Sequence, residues 1–452
     1  MSPKKKATRA HNVPLIPDPY LPSAGSNAYT VAHYALELEC SLAGNRLDGR
    51  AVIVARAEEK LSKIELDLAG LSVIKVAVDG KKIKKFTHKN DKLVIHVPSS
   101  LSEGEKFEID IRYGGNPKPR RGTWGEVGWE ELTDGILVAG QPDGAPTWFP
   151  CNDHPSQKAT YRITIATDTG YRAIANGKLI DHSRKSSREV WSYEVHQPMA
   201  TYLATLQIGR YEVVNLGRSK VGAKTTQQYA AVSPGLTSAA KRAFAKQTDM
   251  VTAFSKFFGP YPFPNYQVVV ADDNLEIPLE AQGMSIFGKN HLTTGWESQR
   301  LIAHELSHQW FGNSLTVGRW DDIWLHEGFA CYAEWLWSEA SGSTNAHGRA
   351  HRAWSALWLQ SQNITVGDPG PKDLFDDRVY KRGALALHAL RRTMGDQRFF
   401  GMLRDWTRRK AHDNVTYRQF VKHVDSHGPR GYSAKAVLKP WLFEEKLPPF
   451  RF

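Results

Sequence analysis

The sequence predicts a multidomain α+β protein, in which an all-β half of sandwich or saddle shape precedes a mixed, mostly helical half. Three observations carry this reading. Apolar residues recur with period two from Tyr34 to about Tyr211, the signature of strands with one buried face. Beyond about residue 215 the pattern changes to that of helices. The chain has 452 residues, enough for two large domains or three of ordinary size. The switch of period places the boundary near 205–220 and divides the chain into an extended arm (1–28), a β domain (29–212) and a second domain (213–452).

The arm is rich in Pro, Ser and Gly and has no period. In the β half, Tyr34, Leu36, Leu38 and Cys40 alternate with polar or small residues. So do Ile64, Leu66 and Leu68, then Phe107, Ile109, Ile111 and Tyr113, then Tyr161, Ile163 and Ile165. Asp79-Gly80 marks a hairpin. In the second half, Thr237 is placed to cap one helix running to Gly259. Tyr261–Asn265 reads as a turn and Tyr266–Ala271 as a buried strand, and helices dominate from Glu297 onward.

Hydrophobic residues make up 41% and charged residues 23%, which excludes a disordered tail or a collagen-like chain. No run approaches the roughly 18 consecutive apolar residues of a membrane-crossing helix. The basic start lacks the apolar stretch of a secretory signal. Three widely spaced cysteines (Cys40, Cys151, Cys331) form no disulfide framework and fit a reducing cytoplasm. The net charge of +12 is spread over short clusters (Lys4 to Lys6, Lys81 to Lys85, Lys118 to Arg121). With no basic helix or nucleic-acid motif, it reads as a solvated surface, with neither nucleic acid nor membrane as partner.

The chemistry is concentrated in His304-Glu305-Leu306-Ser307-His308. Two histidines four apart on a helix share a face, so both can reach one tetrahedral zinc, and Glu305 can reach a water on the same metal. Ser298 is a candidate N-cap for this helix and Gly312 its end. Eighteen residues separate His308 from Glu327, which opens a further apolar-periodic helix. Glu327 supplies a third ligand and leaves the fourth position open, as in a catalytic rather than a structural zinc site. Glu334, seven residues on, is a candidate carboxylate partner for a ligand imidazole.

HELSHQWFGN followed by WLHEGFA resembles the aminopeptidase N-type gluzincin family of zinc exopeptidases, which includes the puromycin-sensitive aminopeptidases. Gln141-Pro142, the run Trp148–Pro155, Lys158–Tyr161, Phe258–Pro262 and Val379–Gly383 extend the likeness over nearly the whole chain. The resemblance implies a saddle-shaped β domain joined to a thermolysin-like catalytic domain, one Zn2+ per chain, and peptides with a free N-terminus as substrates. It implies Glu305 as general base, Tyr380 as oxyanion stabiliser, and Glu280 with Gln141 as the grip on the α-ammonium, Glu276 being the fallback for Glu280. The family's large helical C-terminal domain has no counterpart in this sequence, so a more open cleft is expected and a lipid-epoxide hydrolase activity is not.

The chain departs from the family at Pro278–Gln282, at His326, where Asn is common, and at Pro146, where Arg is common. The histidines outside the motif (His154, His291, His326, His388) read as structural and Cys331 as a small buried apolar residue. Two other readings stay open. One is a zinc endopeptidase or narrow oligopeptidase on the same scaffold. The other is a non-catalytic interaction protein that keeps the fold.

Overall fold

A computed structural model describes residues 16–451. The first half of the expected arm, with the Lys4 to Lys6 cluster, lies outside the described residues. The described part of the arm docks on the second half of the chain, where Asp18 Oδ2 accepts the Trp320 amide at 2.7 Å.

The N-terminal half is all β. Its largest sheet has eight strands, in the order 178–185, 188–200, 158–168, 29–41, 46–57, 106–115, 72–78 and 81–83. All pairings in it are antiparallel except that of Tyr29–Ser41 with Lys158–Asp168. The period-two residues are the buried ones: Tyr34, Leu36, Leu38 and Cys40 on one strand, Phe107, Ile109, Ile111 and Tyr113 on another. Val78 pairs with Lys81 across Asp79-Gly80, both of which have positive φ (48° and 74°), as a two-residue hairpin with right-handed strand twist requires. Two smaller sheets, of five and three strands, complete this half.

The second half carries a five-stranded sheet in the order 212–221, 224–232, 265–271, 284–288 and 279–281. The short strand Leu279–Ala281 forms its edge. Nine α-helices are found among the described residues: α1 (Thr237–Ala243), α2 (Gln247–Phe258), α3 (Trp296–Ser307), α4 (Trp324–Ala340), α5 (Ala346–Trp358), α6 (Asp377–Met394), α7 (Asp396–Arg409), α8 (Tyr417–His427) and α9 (Ala434–Leu442). No helix is long and apolar enough to cross a membrane.

Local expectations are corrected in three places. The helix expected from Thr237 to Gly259 is two, broken at Phe244–Lys246. The break lets the Phe244 ring pack on Phe287 at 5.2 Å and the buried Gln247 amide donate to Gln228 Oε1 at 3.2 Å. Leu236, not Thr237, precedes the first turn. Ser298 does not cap α3, which starts after Gly295; its hydroxyl donates to the His291 carbonyl at 2.6 Å.

The two halves share one continuous apolar core. Polar ties cross beside the zinc-motif helix. Buried Lys158 donates to the Asn313 and Ser314 carbonyls at 3.0 and 2.9 Å, and the Tyr202 hydroxyl to the Gly312 carbonyl at 3.1 Å.

Candidate active site

Helix α3 carries His304 and Glu305, and His308 follows it with right-handed backbone angles (φ −56°, ψ −24°). The turn is therefore kept, and the two imidazoles sit on one face with ring centroids 4.9 Å apart. Glu327 lies in the first turn of α4, where the helix dipole favours a carboxylate.

Glu327 Oε2 stands 3.4 Å from Nε2 of His304 and 3.4 Å from Nε2 of His308. Ligand atoms about 2.0–2.1 Å from a tetrahedral zinc are separated by roughly 3.3–3.4 Å. Glu327 therefore stands at zinc-ligand separation from both imidazoles, and all three donors lie within 4.8 Å of one another. The other ring nitrogens are committed: His304 Nδ1 bonds Glu334 Oε1 at 2.8 Å, and His308 Nδ1–H donates to the Phe311 carbonyl at 3.0 Å. Protonation at Nδ1 leaves the Nε2 lone pairs turned toward Glu327.

Glu334 is itself held by Arg300 Nη1, at 3.3 and 3.4 Å from its two oxygens. Lys381 acts on it from α6 and lies 3.7 Å from the Cys331 thiol. Sequence reasoning missed Arg300 and Lys381. The signal for Arg300 was present, since it precedes His304 by four residues and so shares its face.

Glycine sets the distance between the two helices. A Cβ at Gly328 would fall 2.9 Å from the Gly383 backbone, and one at Gly383 would fall 2.9 Å from Gly328 Cα. Helices α4 and α6 thus touch backbone to backbone beside Glu327, and Tyr380, one turn before Gly383, arrives at the metal ligands. Its ring stacks on His304 at 5.8 Å between centroids and 18° between planes.

Glu280 comes from the sheet-edge strand, and its carboxylate clusters with Glu305 and His308 within 4.8 Å. Its Oε1 is buried with no hydrogen-bond partner, as is Gln141 Nε2. Glu276, the fallback, is exposed in the preceding loop.

The electrostatics suit a cation. Burial opposes charging of His304, but the carboxylates of Glu327 and Glu334, which accept from the protonated ring, outweigh it and hold its pKa up to about 9. Burial is likewise outweighed at His308, held up to about 10 by Glu327 and Glu280. Burial pushes Glu280 up to about 7, helped by Glu327 and Glu305 and opposed by His308. A dication can replace the imidazole protons among these carboxylates.

The four histidines expected to be structural have partners within the fold. His326 Nε2 accepts the Val317 amide at 2.8 Å and burial pushes its pKa down to about 3; His291 Nδ1 accepts the Gly288 amide at 3.1 Å. His388 lies between Tyr332 and His347, and buried His154 meets the Ser156 hydroxyl. Pro146 is buried, with its carbonyl on the Ala69 amide at 2.8 Å.

Comparison with known proteins agrees with this geometry. Residues 30–203 match the Peptidase M1 N-terminal domain, and residues 242–441 match the Peptidase family M1 domain. The chain belongs to peptidase family M1. As an M1 zinc metallopeptidase it superimposes on the M1 zinc metallopeptidase of Deinococcus radiodurans with a TM-score of 0.88, at 29% identity, covering 96% of this chain and 98% of that one. A point mutant of the Deinococcus enzyme bound to a Tyr-Ser-Ala substrate gives a TM-score of 0.87 at 28% identity and the same coverage. The leucyl aminopeptidase of Saccharolobus solfataricus is 25% identical over 446 residues, 93% of this chain and 54% of the relative. The M1 chain spans about half the length of the first curated relatives it matches (54%, 44% and 50%). His304, His308 and Glu327 are its zinc ligands.

Proposed function

We propose that this M1 chain is an aminopeptidase that removes the first residue of peptides with a free amino terminus. The observation that carries the reading is Glu280, a carboxylate on a sheet edge within 4.8 Å of the Glu305 and His308 donor atoms, with one oxygen buried and unpartnered. Such an oxygen is costly unless a cation meets it, and an α-ammonium is the cation a peptide brings. Gln141, whose Nε2 is also buried and unpartnered, would join it.

Zinc, when bound, polarises the scissile carbonyl and acidifies the attacking water. Glu305 takes the proton of that water and passes it to the leaving amine. The hydroxyl of Tyr380, whose ring stacks on the His304 ring, donates to the developing oxyanion. Glu280 fixes the ammonium one residue from the scissile bond, and this sets the cut at the first peptide. The Tyr-Ser-Ala peptide held by the Deinococcus relative supports a short-peptide substrate. An interaction scaffold would have no use for ligands, base and tyrosine all assembled in one cleft. Three buried, unpaired cysteines support a reducing cytoplasm as its location.

The test is a tripeptide against its N-acetylated form, each with and without a chelator. The free peptide should be cleaved at its first bond only with zinc present, and the acetylated one barely. In Glu280→Ala, kcat/KM for the free peptide should collapse toward that of the acetylated one. Equal cleavage of both peptides by the unaltered protein would make it an endopeptidase.

A further inference from the structure

Apart from the catalytic centre, a second group of metal-ligating side chains meets where α7 packs on α8. His423 and His427 stand one turn apart on α8, with ring centroids 4.5 Å apart. Asp405 faces them from α7, and one donor atom of each residue lies within 4.8 Å of the others. His427 Nε2 is 3.4 Å from Asp405 Oδ2, the same separation that His308 and Glu327 show in the zinc site.

Main-chain carbonyls fix both rings. His427 Nδ1–H donates to the His423 carbonyl at 3.0 Å, and His423 Nε2–H donates to the Met402 carbonyl at 3.0 Å. Each imidazole therefore carries its proton on the nitrogen tied to the backbone and offers the other as a lone pair, the arrangement that orients metal-ligating histidines. The His423 ring also packs on Trp406 at 5.0 Å. The cluster is half-buried yet reachable, with the His427 and Asp405 side chains 28% and 18% exposed.

We propose that His423, His427 and Asp405 form a second metal site, for a borderline transition dication such as zinc, with water completing its shell. Two imidazoles and one carboxylate suit zinc, nickel or copper and not the all-oxygen preference of calcium or magnesium. The site has a competitor of its own. Arg408 binds Asp405 Oδ1, and Arg409 binds Oδ2 at 2.5 Å. Both guanidinium side chains are mostly exposed (70% and 62%), so these are weak surface ties that a dication can displace, at a cost in affinity. The second ion therefore binds more weakly than the first.

The experiment is calorimetric titration of Zn2+ into the full chain already holding one zinc per molecule. A second, weaker event of one ion per chain is expected. It should disappear in His427→Gln and in His423→Gln, and tighten in Arg409→Gln, which removes the cation competing for Oδ2. Peptide hydrolysis at one zinc per chain should be unchanged in all three. A titration with no second event would overturn the site. So would a second event that survives in both histidine variants, or one that Arg409→Gln leaves no tighter.

Discussion

Glu305 and Glu327 are the same side chain in the same cleft, and their surroundings drive them apart. Burial alone would raise both. At Glu327 the positive charge that the two imidazoles carry when no zinc is bound overcomes burial and holds the carboxyl well below its usual range. At Glu305, which the same imidazoles influence without hydrogen bonds, burial wins and the pKa rises. A permanently ionised carboxylate suits a ligand, and one able to hold a proton suits a base. Glu305→Gln should therefore retain zinc by elemental analysis while kcat falls by about 10² to 10⁴. If the variant came out without zinc, Glu305 would be a ligand. Glu305 was legible from its place between the two histidines on one helix, Glu327 from its eighteen-residue separation from His308, and Glu334 from its spacing along the helix that Glu327 opens. Lys381 was not, since its approach to Glu334 depends on how α6 crosses α4, and no local pattern contains a crossing.

That crossing is the central feature at the scale of elements. The helix interior at Gly328 and Gly383 would ordinarily favour alanine over glycine by about 0.8–1.0 kcal/mol. Here each added methyl would press against backbone at 2.9 Å, which cannot swing aside as a side chain can. Overpacking of this kind costs roughly 1–3 kcal/mol and outweighs the propensity gain. Gly383→Ala should thus lower the thermal midpoint and, by pushing α6 outward, withdraw Tyr380 from His304, so that kcat falls more than KM changes. A variant more stable than the parent and equally active would mean the helices part easily at this point. The expected helix from Thr237 to Gly259 illustrates the limit of periodicity. Residues 237–258 keep a helical pattern throughout, and only the need to seat Phe244 on Phe287 and Gln247 on Gln228 breaks it. Such demands come from strands distant in sequence.

At the scale of the whole molecule, the order of the two halves was readable from a change of period, because burying one face of a sheet and one stripe of a helix leaves different marks on a sequence. How the halves are joined was not readable. Polar ties cross the shared apolar core: Lys158 reaches across to main-chain carbonyls, and a few residues before it Asp153 is buried within the β half. Asp153 accepts the Thr201 hydroxyl on Oδ1 at 2.6 Å, while its Oδ2 is buried without a partner. Burial, reinforced by the nearby Asp67 charge, pushes its pKa up from an ordinary 3.8 to about 8. Between those two values the folded chain keeps a proton on Asp153 that the unfolded chain has released. Folding stability from this group therefore falls as pH rises through that window, by at most about 1.4 kcal/mol per pH unit, and levels off above it. Asp153→Asn supplies a neutral group of the same shape at every pH, so its stability should lack this contribution. Other buried carboxyls, such as Asp322, raised by burial to about 7, slope the same way in both proteins, so the informative quantity is the difference between them. Denaturant unfolding at a series of pH values should give a variant that gains on the parent steadily from about pH 4 to about pH 8 and holds a constant advantage beyond. Parallel stability curves would mean that Asp153 is ionised in the folded protein.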